Sequence, residues 1–170
     1  MKKLFLTFTV ILAFAATTFA QLIPNGVYLI KFANSPNYVL TLKDGKAAEN
    51  NDIVVYERNN SNAQKWKVEN TKDGSIIIRS MVDNKYVVNI YQSELKDAAK
   101  IVSRKYESAA QKWVPYDMGN NVYVLKVAQN QNLSLDLIMG NANAKNNGQI
   151  DIYRTHYGYE QHWVFEKVDK

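Results

Sequence analysis

The chain has 170 residues, no cysteine and a formal net charge of +5, to which Lys2 and Lys3 contribute. That length suits one domain with a proper core, and a mild excess of base without any run of like charges argues against nucleic acid as a partner. The lack of cysteine excludes a disulfide framework and a lipidated cysteine behind a leader, so stability must come from packing.

The first twenty residues, MKKLFLTFTVILAFAATTFA, pair Lys2 and Lys3 with an apolar stretch from Leu4 to Ala16 and a small residue on either side of Phe19. This is the layout of a secretory signal peptide, with cleavage expected after Ala20. The apolar run is too short for a spanning helix, and no other stretch approaches about 18 consecutive apolar residues, so no stable membrane insertion is expected. The expected destination is extracellular, or periplasmic in a bacterium. Beyond the leader, 19 of the 21 basic residues stand against 16 acidic ones, a net of +3.

From residue 21 onward the runs are short and rich in β-branched and aromatic residues: VYLIKF, YVLTL, IVVYE, SIIIRS, KYVVNIY, VYVLKV, LSLDLI and QIDIYR. NSPN, KDG, NNSN, MGNN and NAKNNG punctuate them as turns, which predicts an all-β chain. The best helical candidate is YQSELKDAAK at 91–100, which lacks a sustained 3.6-residue apolar period and predicts a single turn.

Three small patterns stand at a nearly fixed interval: NAQKW at 62–66, AAQKW at 109–113 and YEQHW at 159–163. They hold all three tryptophans, each two residues after a glutamine, and a period of this size marks stacked or symmetric units. Three upstream segments align without a gap, at 26–42, 74–90 and 121–137. They match Tyr28 with Ile76 and Tyr123, Lys31 with Arg79 and Lys126, Leu40 with Val88 and Leu135, and Leu42 with Ile90 and Leu137. A further β-branched run precedes each tryptophan and places Tyr56, Ser103 and Tyr153 in line. The repeats therefore cover about 24–72, 73–119 and 120–168, within one domain at 21–170. Three repeats are too few for a propeller, whereas a closed barrel with threefold pseudosymmetry hides every strand edge.

Repeats of this length, each with an aliphatic-x-aliphatic strand and a closing Gln-x-Trp, resemble the ricin B-type lectin domain. The resemblance spans nearly the whole chain after the leader. It implies a β-trefoil of three pseudo-symmetric four-strand repeats, with Trp66, Trp113 and Trp163 as structural core. It also implies a sugar site built from a carboxylate between the two aliphatics, an aromatic on the later strand and a polar residue before the glutamine. A carboxylate accepts hydroxyl hydrogen bonds, a ring stacks on the apolar face of a sugar, and an amide fixes orientation.

The third repeat keeps this pattern best, with Asp136, Asp151, Tyr153, Glu160 and Gln161, although the family usually has Asn at the position of Glu160 and often an amide at that of Asp151. The first repeat offers a weaker second site in Thr41, Asp44, Tyr56 and Gln64, and the second, with Asn89 and Ser103, is expected to be scaffold. The expected function is an exported glycan-binding module for galactose-type or related sugars. The rival is a β-trefoil that binds a protein partner through loops such as AENND, SELKDAA and NANAKNNG, as an inhibitor or a toxin subunit. No hydrolase, metalloprotease or phosphate-loop motif is present, so no enzyme activity and no cofactor are expected. His156 with Asp136 and Asp151 could be drawn as a metal cluster, but the expectation is an exposed loop histidine and no metal.

Overall fold

The structure is a computed structural model and describes residues 21–107, 111–138 and 144–168. The leader lies outside them. The described residues form twelve strands: β1 Gly26–Phe32, β2 Tyr38–Leu42, β3 Asn51–Glu57, β4 Lys65–Asn70, β5 Ile76–Ser80, β6 Tyr86–Ile90, β7 Ala99–Lys105, β8 Trp113–Gly119, β9 Val122–Val127, β10 Asn130–Leu137, β11 Gly148–Arg154 and β12 Trp163–Lys167. At 91–100, where a single helical turn is predicted, the chain makes a tight turn over Tyr91–Ser93 with left-handed φ at Gln92 (52°) and Ser93 (56°), and then extends again into β7. Among the described residues no helix is long and apolar enough to cross a membrane.

The strands group in fours, and each repeat spends its first and fourth strands on a barrel and its middle two on a hairpin. The barrel closes through antiparallel pairs β1–β4, β4–β5, β5–β8, β8–β9, β9–β12 and β12–β1. The hairpins β2–β3, β6–β7 and β10–β11 cap one end. Their outer strands meet in a triangle, β3–β7, β7–β11 and β11–β3. This is the β-trefoil, in which the described strands pair into a closed barrel and a cap.

The Gln-x-Trp signature holds barrel and cap together. Each indole is buried and donates from Nε1 to a carbonyl of the same repeat's first hairpin strand: Trp66 to Leu40 at 2.9 Å, Trp113 to Val88 at 3.3 Å and Trp163 to Leu135 at 3.2 Å. The acceptors are the three residues that the repeat alignment equates. Each glutamine amide bridges the loop before it. Its Nε2 donates to the carbonyl of Glu57, Lys105 or Arg154, and its Oε1 accepts backbone N–H groups from Asn59 and Asn60, Glu107, or His156 and Tyr157. Around them Tyr28 and Tyr123 meet Phe165 edge-on, and Phe32 meets Trp163, in one continuous core.

Candidate functional site

In the third hairpin β10 and β11 pair with Ser134 opposite Tyr153 and Asp136 opposite Asp151. Residues directly opposite in an antiparallel pair share a face, while Leu133, Leu135 and Leu137 turn the other way into the core. The outer face therefore carries two carboxyls side by side with a ring next to them. Asp136 is 7% exposed and Asp151 4%, whereas Tyr153 remains 37% exposed. No hydrogen bond from a described residue reaches Asp136 Oδ2 or Asp151 Oδ1, although both atoms are buried. Buried carboxyl oxygens are rarely left so.

The loop after β11 completes the site. The Gly158 N–H donates to His156 Nδ1 at 3.0 Å, which leaves the proton of the neutral ring on Nε2, and Nε2 lies 3.4 Å from Asp136 Oδ2. A Cβ on Gly158 would stand 2.6 Å from His156 Nδ1 and 2.7 Å from Glu160 Oε2, so a larger residue there would push both side chains aside. The His156 ring also meets Tyr153 edge-on, with centroids 6.2 Å apart. Burial raises the Asp136 carboxyl above its ordinary range, opposed by the Gln161 amide and His156 and reinforced by the charge of Glu160. Burial also pushes Asp151 up to about 7, with Asp136 and then Asp97 adding repulsion. Near neutral pH the pair can thus hold one proton between two carboxyls, one accepting hydrogen bonds and the other donating. Among the described residues no group of three or more His, Asp and Glu is arranged to hold a metal ion.

The sequence-predicted residues Asp136, Asp151, Tyr153 and Glu160 come together here. Gln161 is fully buried and spends its amide on the loop backbone, so it positions the site from beneath. His156 is a loop histidine as expected, 41% exposed at its side chain, yet it also faces Asp136. Its place five residues before Gln161, where the glutamine grips the backbone, is the signal that could have found it.

A family profile described as "Ricin-type beta-trefoil lectin domain-like" matches residues 18–104, half of the chain. The chain belongs to this family. Similar solved structures include ThreeFoil, a designed 3-fold symmetric protein, at TM-score 0.77 and 18% identity over 84% of this chain and 99% of that one. The ricin B-like lectin of Macrolepiota procera, in complex with lactose, follows at TM-score 0.71 and 20% identity, covering 87% of this chain and 99% of the lectin. A mosquitocidal holotoxin matches at TM-score 0.76 and 20% identity, with 87% of this chain covering 18% of the toxin. No protein of curated function matches the sequence.

The other two repeats of this ricin-type domain carry altered versions of the same face. In the first, Thr41 stands opposite Val54 and Tyr56 opposite Val39. Thr41, Asp44, Tyr56, Asn59 and Ser61 line a depression of about 440 Å³ that Asn147, from the third repeat, completes. Gln64 lies beneath it with its amide bound to backbone and to Thr41 Oγ1 at 3.3 Å. Thr41 donates in turn to the Val39 carbonyl at 2.8 Å. In the second repeat Asn89 stands opposite Val102, so Arg104 and not Ser103 takes the place of Tyr56 and Tyr153. Ser103 points inward and donates to the Ala48 carbonyl at 2.7 Å, while Arg104 sits 3.7 Å from both Glu49 and Glu107. The second repeat has lost the carboxylate and the ring as expected, with a guanidinium where the ring would be.

Proposed function

We propose that this ricin-type domain is an exported carbohydrate-binding module, without catalytic activity, that holds a galactose-type or related sugar at the third repeat. The observation that carries the reading is Asp136 opposite Asp151 beneath the exposed Tyr153 ring, with His156 Nε2 3.4 Å from Asp136 at the edge of the pair. Asp136 accepts from two adjacent sugar hydroxyls, Asp151 in its protonated form donates to one of them, and Tyr153 stacks on the apolar face of the ring. His156, presenting Nε2–H, orients Asp136 and limits which hydroxyls reach it. Export is supported by the leader-like layout of residues 1–20. The first-repeat depression has a ring and a hydroxyl but no carboxylate in the paired position, so it contributes weaker binding.

A glycan array with residues 21–170 beside Asp136→Asn tests the reading. Binding to a defined glycan class that the variant loses, at unchanged melting temperature, supports it. Equal binding by both proteins, or none by either, overturns the assignment and turns attention to protein partners.

A further inference from the structure

The first strand of each repeat carries a base at equivalent positions, Lys31, Arg79 and Lys126. In the first two repeats a carboxylate neutralises it: Lys31 Nζ is 2.9 Å from Glu166, and Arg79 Nε is 2.7 Å from Glu69. Both glutamates stand three residues after the tryptophan of their strand, and the same place after Trp113 is Tyr116. The register confirms the equivalence, since Lys31, Arg79 and Lys126 lie opposite Val164, Lys67 and Val114. Lys126 thus meets a ring where its counterparts meet a carboxylate. Its Nζ is 4.6 Å from the centre of the Tyr116 ring and 5.0 Å from that of Tyr157, and it donates to the Tyr157 hydroxyl at 2.9 Å. The two rings are 5.2 Å apart and 46% and 42% exposed, and among the described residues no carboxylate forms an ion pair with Lys126.

This cation is close to the sugar site. Lys126 is the cross-strand partner of Ser134, which is the partner of Tyr153, so two strand spacings, on the order of 10 Å in all, separate the backbones of Lys126 and Tyr153. The loop after β11 crosses this row above Ser134, where Thr155 Oγ1 and Ser134 Oγ are 2.6 Å apart. His156 goes to the Asp136 side and Tyr157 to the Lys126 side. Tyr157 holds a left-handed φ of 58° with its N–H bound by Gln161, as Asn60 does at 60° with Gln64, so the repeated turn fixes where that ring is carried.

We propose that Lys126, Tyr116 and Tyr157 form an anion subsite that takes a sulfate or carboxylate group on the sugar unit next to the one held at Asp136. The proposal rests on the third repeat being the sugar site. The rings shield one side of the ammonium and leave the other for an oxyanion, which the ammonium and the Tyr157 hydroxyl hold by charge-assisted hydrogen bonds. The acidic groups Asp136, Asp151 and Glu160 lie across the loop, which directs the negative group to the lysine side.

The test is a glycan array of matched sets, each a neutral galactose-terminated disaccharide with its sulfated and its sialylated form, probed with the parent, Lys126→Met, Tyr116→Glu and Asp136→Asn. The parent should favour one acidic form over its neutral partner by about three- to tenfold, less in high salt. Which form wins tells sulfate from carboxylate. Tyr116→Glu writes into the third repeat the carboxylate that the other two carry, and with Lys126→Met it should erase the preference while neutral binding and melting temperature stay unchanged. Neutral binding that Asp136→Asn abolishes, with no acidic preference in the parent, overturns the subsite and leaves the sugar site standing. No binding to any member of the sets overturns both.

Discussion

Asp151 is where residue-scale chemistry is most exposed to measurement. Its carboxyl titrates at about 7 in the fold and at about 3.9 in an unfolded chain. Below pH about 4 both states are protonated and its full stability contribution is present. As the pH climbs, the unfolded chain ionises first, so stability is lost up to about pH 7 and then levels off. Asp151→Asn removes that loss: its melting temperature should exceed the parent's by roughly 2–8 °C at pH 8 and match it near pH 4. A constant offset at both pH values would show that Asp151 titrates normally. Glycan binding by the parent should fall as pH rises through 7, because the donor between the two carboxyls disappears, whereas an asparagine amide keeps donating at pH 8. Titration calorimetry across pH 6–8 reads that difference directly.

Among the elements, the loops gripped by Gln64, Gln111 and Gln161 differ in what they carry. Replacing any of the three by leucine strands buried backbone groups, which costs about 1–3 kcal/mol. Chemical denaturation should find similar losses in all three repeats, but only Gln161→Leu should also weaken glycan binding, since its loop holds His156 and Tyr157. Gly158→Ala pushes on His156 and Glu160 and should lower affinity several-fold with little change in stability. An affinity equal to the parent's would show that His156 plays no part in orienting Asp136.

The same scale shows how much the sequence discloses. The repeat period, the strands and the equivalence of Leu40, Val88 and Leu135 are legible because apolar spacing and the Gln-x-Trp marker recur in register. Aligning Ser103 with the rings fails because the run KIVSR has no aromatic at the place of Tyr56 and Tyr153 to mark its outer face. The period of two along a strand puts Arg104 outside instead, since a slip of one residue exchanges the two faces. The contact of His156 with Asp136 depends on a fold-back at Gly158, which no periodicity encodes, and the lack of a carboxylate beside Lys126 is visible only once strand register names Tyr116 as the equivalent of Glu69 and Glu166.

For the whole molecule, threefold organisation spreads stability evenly while the proposed sugar site lies in one repeat. Trp66→Ala, Trp113→Ala and Trp163→Ala should each cost about 3–5 kcal/mol, and urea titration should place all three close together. Affinity for a single sugar should be modest and rise sharply with ligand density on a surface, where several molecules bind side by side. A calorimetric stoichiometry near one strong site per chain is the expected result.

Closure of the barrel has a consequence in time. Strand β1 is hydrogen-bonded to β12, from Tyr28 with Lys167 to Phe32 with Trp163, so one edge of the earliest strand waits for the latest. At synthesis rates of about 5–20 residues per second, that wait lasts on the order of ten seconds. During it the chain can fold single hairpins but cannot seal its ring. A nascent protein of this design stays pliable until its final strand emerges, then shuts in one long-range step, and a message truncated before Trp163 yields a product that never shuts.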